Sequence, residues 1–183
     1  MTWSYSRVAS FDDCPYKWFL SYLYRDENGR SLKKKSGFFA EFGSYMHKIL
    51  QMYLSGLLEK ERLSTYYVAH FKENVFSKAP NSKIYMNYFQ QGFHYLDDFS
   101  FPSRSIIGVE EKVDFMFAGR KFTGFVDLIS ENGKLIVTDH KSRTLKPRSK
   151  RSKPTKHDAE LDEYLRQLYV YSCLLYTSPS PRD

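Results

Sequence analysis

The chain has 183 residues, enough for one domain with a real core, and its 42% hydrophobic content excludes disorder over most of its length. A formal charge of +7 fits an anionic partner such as nucleic acid, and no apolar run is long enough to span a bilayer. The N-terminal stretch lacks a basic start followed by an apolar segment, and two cysteines, Cys14 and Cys173, are too few for a disulfide framework, so a reducing cytoplasm is the expected compartment.

Ser4 and Ser6 offer N-cap oxygens ahead of a first amphipathic helix, and Pro15 opens a second at a tolerated first-turn position. Residues 25–37 form a polar loop. From Phe38 to Leu58 the apolar residues Phe42, Tyr45, Met46, Ile49, Leu50, Tyr53, Leu54 and Leu57 share one face of a long helix. Two more helices are predicted near Ser64–Ser77 and Ile84–Phe99. The period then changes to two from Ile107 through Phe115. With turn signals at Ala118-Gly119 and Asn132-Gly133, Ile106 to Lys141 predicts a three-stranded antiparallel meander. A loop rich in Lys, Arg, Ser and Pro follows and should be solvated. A last helix begins near Asp158, with Leu161, Tyr164, Leu165, Leu168 and Tyr171 at helical spacing.

Residues that could carry chemistry lie on four of these elements. The long helix holds Gly43 and His47, the second strand Gly124 and Asp127, the third Asp139, His140 and Lys141, and the last helix Gln167 and Tyr171. Adjacent strands can bring Asp127 and Asp139 to one sheet edge. A hard divalent cation such as Mg²⁺ needs few protein ligands, so two carboxylates and a backbone carbonyl, here that of His140, suffice. His47 would add an imidazole and tilt the site toward also accepting Mn²⁺. Lys141, two residues after Asp139, falls on the same face and can hold an attacking water and offset transition-state charge. Of Glu110 and Glu111 on the first strand only one can point inward, and Glu111 is taken as the accessory acid. Each residue also has an ordinary reading: a core histidine for His47, a surface ion pair for Asp139 and Lys141, and surface and core positions for Gln167 and Tyr171.

In order and type the four pieces resemble the G-x-x-x-H, G-x-x-D, D-x-K and Q-x-x-x-Y motifs of the PD-(D/E)XK nuclease superfamily, in its RecB-like branch. The likeness runs from about Ser4 to Ser172 and includes the opening segment SYSRVASFDDCPYKWFLSYL. It implies an α/β fold: a restriction-endonuclease-like core of order α-β-β-β-α, its final strand missing here, with additional N-terminal helices. It also implies Mg²⁺- or Mn²⁺-dependent hydrolysis of DNA, by an end-processing exonuclease in recombination, repair or phage replication, with a helicase or recombination partner. Gln167 and Tyr171 would then orient the lysine or touch DNA. His140 stands where the family often has a bulky aromatic or aliphatic residue. Cys14 matches the first cysteine of members that hold an iron–sulfur cluster; the other three would have to lie in the natural protein beyond a truncation near Ser172. The loop cations Lys146, Arg148, Lys150, Arg151, Lys153 and Lys156 are expected to meet strand phosphates.

Residues 173–183, CLLYTSPSPRD, back-translate through one frame of a transposon-end sequencing adapter. The nuclease domain is therefore expected to span residues 1–172, with a foreign tail after it. Two other classes of function stay open: a non-catalytic DNA-binding module that keeps the fold, and an accessory subunit using the Tyr-rich helices between 38 and 99.

Overall fold

The computed structural model describes residues 2–32, 36–142 and 145–177. Residues 33–35 of the predicted polar loop, and 178–183 of the tail expected to be foreign, lie outside these. Among the described residues are α1 (Tyr5–Asp13), α2 (Pro15–Tyr22), α3 (Phe38–Leu54), a 3₁₀ turn (Lys60–Arg62), α4 (Leu63–Asn74) and α5 (Ser82–Asp97). Then come β1 (Ser105–Phe117), β2 (Arg120–Glu131), β3 (Leu135–Thr138) and α6 (Lys156–Thr177), the strands forming one sheet in the order β1-β2-β3. This is an α/β architecture with a three-stranded sheet, consistent with a restriction-endonuclease-like fold. No helix among the described residues is long and apolar enough to cross a membrane.

The helix ends follow local chemistry. Ser4 caps α1 by accepting from the Arg7 amide, and Asn81 caps α5 by accepting from the Ile84 amide at 2.8 Å. That cap starts α5 two residues before the Ile84 expected from periodicity. Helix α3 stops at Leu54 rather than Leu58, because Gly56 turns into the left-handed region at φ 73°. Leu57, expected on the buried face, is consequently 75% exposed.

Contacts divide the chain into two compact units. The first comprises Met1–Lys34, Glu111–Val126 and Lys146–Asp183; the second comprises Lys35–Glu110 and Asp127–Leu145. In the first, Trp18 stacks on Trp3 at 5.7 Å and meets Phe11 edge-on at 5.3 Å. Trp3 also bridges Phe122, on a part of β2 that the short β3 does not reach. The loop ahead of α6 is not merely solvated. Asp158, only 1% exposed, accepts from the amides and hydroxyls of both Ser149 and Thr155 at 2.6–2.7 Å. The Asp158 amide returns a bond to the Thr155 hydroxyl, a reciprocal cap at the helix start. These bonds hold the Asp158 carboxyl well below the usual carboxylate range.

The second unit has its core on one face of α3, packed with α4 and α5: Phe42, Tyr45, Ile49, Leu63, Tyr67, Phe71 and Leu96 are all at most 4% exposed. The core tyrosines keep their hydroxyls satisfied. Tyr45 donates to the Tyr66 and Tyr67 carbonyls and Tyr67 to that of Phe89, and burial raises both pKa values. A buried acid, Glu41, accepts from the Ser36 and Ser77 hydroxyls and the Phe76 and Ser77 amides. Burial pushes its pKa up, but these bonds outweigh it and the net shift is downward.

Gly92 of α5 is where the Tyr67 hydroxyl fits; a Cβ there would lie 2.5 Å from its oxygen and 2.7 Å from Cζ. Helix propensity alone favours Ala over Gly by about 1 kcal/mol. The fully buried ring cannot retreat, so overpacking should prevail, at about 1–3 kcal/mol. Gly92→Ala is therefore expected to lower the denaturant midpoint; a raised midpoint would show that the ring has room to move.

Candidate active site

Between β2 and β3 the antiparallel register pairs Leu128 with Thr138 and Glu131 with Leu135. One further step of this register sets Asp127 opposite Asp139, just past the end of β3. The two strand acids thus arrive together because the hairpin closes over residues 132–134, with Gly133 at φ 67°. The His140 amide donates to Asp127 Oδ2 at 2.7 Å, fixing that carboxylate. His47 of α3 places Nδ1 3.5 Å from the same oxygen. The Asp127 side chain is 14% exposed and that of Asp139 10%.

The third member of the cluster is Glu110. Ligand atoms of His47, Glu110 and Asp127 all lie within 4.8 Å of one another. Glu111, the acid expected from the sequence, is exposed and does not join them. The cause is local: Glu110 has a left-handed backbone, φ 53°, inside β1. Strict alternation breaks there, so that 109 and 110 are both half-buried while 111 and 112 are both exposed. A non-glycine residue held in this region is a local strain that persists only where its surroundings impose it. Burial, and then the Asp127 carboxylate, raise the Glu110 pKa, while His47 lowers it.

Lys141 Nζ lies 2.5 Å from Asp139 Oδ2, so the acid and the lysine of D-x-K meet directly. The His140 ring stands edge-on to His47, 6.2 Å away, and its Nε2 is buried with no hydrogen-bond partner among the described residues. Burial holds this imidazole below its ordinary pKa, against the pull of Asp127. Gly43, one turn before His47, has Ser142 Oγ 3.0 Å from where a Cβ would sit, so a small residue lets the chain after Lys141 pack against α3.

Gln167 and Tyr171 lie in the other unit. Gln167 Nε2 donates to the Tyr171 hydroxyl at 3.2 Å, and Tyr171 is 8% exposed. A Cβ on Gly124 would stand 2.8 Å from the Tyr171 ring, so the glycine of G-x-x-D and the tyrosine of Q-x-x-x-Y pack on each other. The six loop cations are all exposed, and Arg148 is ion-paired with Asp162.

The model of the PD-(D/E)XK nuclease superfamily matches residues 2–182. The chain belongs to the PD-(D/E)XK nuclease superfamily. No curated protein and no solved structure matches it. PD-(D/E)XK nucleases use divalent metals, and the donor set of this member fits one: two carboxylates and an imidazole converge, with oxygen donors in the majority. Glu110 was missed because strand parity was assumed constant. The one warning legible in the sequence was the acid pair itself, two neighbours of which one must point inward.

Any cation held by this PD-(D/E)XK cluster relieves repulsion between Glu110 and Asp127. At a hundredfold excess over its Kd, Mn²⁺ should stabilise the protein by about 2.7 kcal/mol. At roughly 2–4 °C per kcal/mol for a chain of this size, the melting temperature should rise by about 5–10 °C. Glu110→Gln should melt no lower than the parent without Mn²⁺, since it removes a carboxylate whose charged form the fold disfavours, and should lose most of the Mn²⁺-induced rise. Glu111→Gln should keep it. The reverse pattern would return the role to Glu111.

Proposed function

We propose that this chain is a divalent-metal-dependent deoxyribonuclease. The observation that carries the reading is the convergence of His47, Glu110 and Asp127 within 4.8 Å, in a chain whose family match spans residues 2–182. These three side chains would hold the cation, with Asp139 completing the acidic edge. A bound Mg²⁺ or Mn²⁺ supplies Lewis-acid stabilisation of the phosphate and a more acidic water. The chain's own residues do the rest. The His140 amide keeps Asp127 oriented, Asp139 fixes the Lys141 ammonium, and Lys141 donates to the water or to charge developing on the phosphate. Tyr171 packs against Gly124 and is bonded to Gln167, and the part of both in the reaction rests on the likeness of the Q-x-x-x-Y motif. End-processing exonuclease action in recombination, repair or phage replication, with a helicase or recombination partner, rests on the likeness of the four motifs to the RecB-like branch.

The loop before α6 is proposed to grip the phosphate backbone without regard to sequence. Its five cations other than Arg148, namely Lys146, Lys150, Arg151, Lys153 and Lys156, are exposed, and none has a carboxylate partner among the described residues.

Three substitutions separate the roles. Asp127→Asn should remove Mn²⁺ binding measured by calorimetry, along with cleavage of end-labelled DNA. Lys141→Ala should keep Mn²⁺ binding while turnover falls by about a hundredfold or more. Asp139→Asn should cut turnover as well, because the lysine loses its anchor. Cleavage by Asp127→Asn at the parent's rate would leave a non-catalytic DNA-binding module as the better reading. For the loop, five duplex contacts give a log-affinity against log-salt slope of about −4.5. Replacing the five by Ser should flatten that slope; an unchanged slope would mean the loop does not touch the backbone.

A further inference from the structure

Two shallow concavities lie on the second unit along α3. One, of about 400 Å³, is lined by Gly43, Ser44, His47, Lys48, Gln51 and Glu110, so it contains two members of the metal cluster. The other, of about 300 Å³, runs from Ser44 and Lys48 to Asn74 and Phe76. Ser44 and Lys48 line both, so the two lie side by side along α3, a track from the cluster to an aromatic side chain.

Two positions along it stand out. Lys48 is held in place, its ammonium donating to Asn74 Oδ1 at 3.2 Å. Asn74 is oriented in turn by its own amide, which donates to the His70 carbonyl at 2.8 Å. A neutral amide positions the lysine without cancelling its charge. Phe76 is 73% exposed and makes no ring contact among the described residues. Lone exposed aromatics are ordinary on a surface. This one has a fixed backbone, since the buried Glu41 carboxylate accepts from the amides of both Phe76 and Ser77. Glu41 also lines the track, yet its oxygens are taken up by four donors, which offsets the repulsion it would offer a phosphate.

A positioned cation near an exposed aromatic on a held backbone is what binds unpaired nucleotides: the cation takes a phosphate and the ring stacks on a base. A base inside a duplex has both faces covered by its neighbours and cannot use the ring. We infer that the α3 track is a subsite for single-stranded nucleic acid, with Lys48 on a phosphate next to the metal cluster and Phe76 stacked on an unpaired base. The inference rests on the nuclease reading and narrows its substrate to strands that are single near the cut.

The test is fluorescence anisotropy of a labelled oligothymidylate and of a labelled blunt-ended DNA duplex of two strands, both in EDTA so that nothing is cleaved. Phe76→Ala should weaken oligothymidylate binding by about tenfold, within the range of one lost base stack, with no change in the salt slope. Phe76→Trp should bind as the parent does. Lys48→Gln should reduce the salt slope by about 0.7, the value for one single-strand phosphate contact. Duplex binding should stay within about twofold in Phe76→Ala, since paired bases offer that ring no stack. With Phe76 so exposed, its loss should not change the melting temperature, which checks the fold. Equal losses on both ligands, no loss on oligothymidylate, or failure of the parent to bind oligothymidylate would each overturn the subsite. Binding in EDTA does not depend on turnover. A parent that shows the Phe76 dependence but no Mn²⁺-dependent cleavage would therefore keep the subsite and sink the nuclease reading.

Discussion

Asp127 is the carboxylate around which the candidate site is arranged. An acid so far out of water needs donors or positive charge close by. The His140 amide and the His47 imidazole supply part of this, and the approach of Glu110 works against it. Two acids brought this close raise the free energy of the folded chain unless something positive joins them. Only the surrounding core can hold such an arrangement, and α3 shows how it does so. Its inner face is packed on α4 and α5, while His47 projects from the same rigid helix.

Four polar side chains buried elsewhere are fully engaged. Glu41, Asp158, Tyr45 and Tyr67 are each deep in the protein, and each has its bonding capacity met by backbone or hydroxyl partners. Glu41 and Asp158 fasten irregular chain to a helix. The buried His140 Nε2 beside the cluster has no partner among the described residues, and neither do the buried Trp3 Nε1, Trp18 Nε1 and Ser130 Oγ.

Much of this was legible in the sequence because it depends on local rules. Apolar spacing located α3, the cap residue Ser4 located α1, Pro15 at its first turn located α2, and Ala118-Gly119, with φ 47° and 72°, closed the first hairpin as its composition indicated. The i, i+2 spacing of Asp139 and Lys141 placed them together. What was not legible depended on departures from period or on long-range bonds. Gly56 ended α3 early by a backbone preference that hydrophobic spacing does not register. The left-handed Glu110 reversed strand parity, and nothing in the alternation of Ile107 to Phe115 announces it. The role of Asp158 depends on Ser149, nine residues away across a proline-containing loop, a distance at which sequence patterns say little.

That last bond changes what the basic loop is as a polymer. A free connection would let its cations wander through a large volume, and each would lose that freedom on meeting a ligand. With Ser149 and Thr155 both tied to one carboxylate, the chain between them is a short closed arc carrying Lys150, Arg151 and Lys153. A short closed arc leaves the residues between its ends less space to explore than a long one does. The three charges are thereby kept at high effective concentration relative to one another, so that once one meets a polyanion the others are already in reach. A single buried aspartate turns a stretch that reads as low-complexity linker into a multivalent patch.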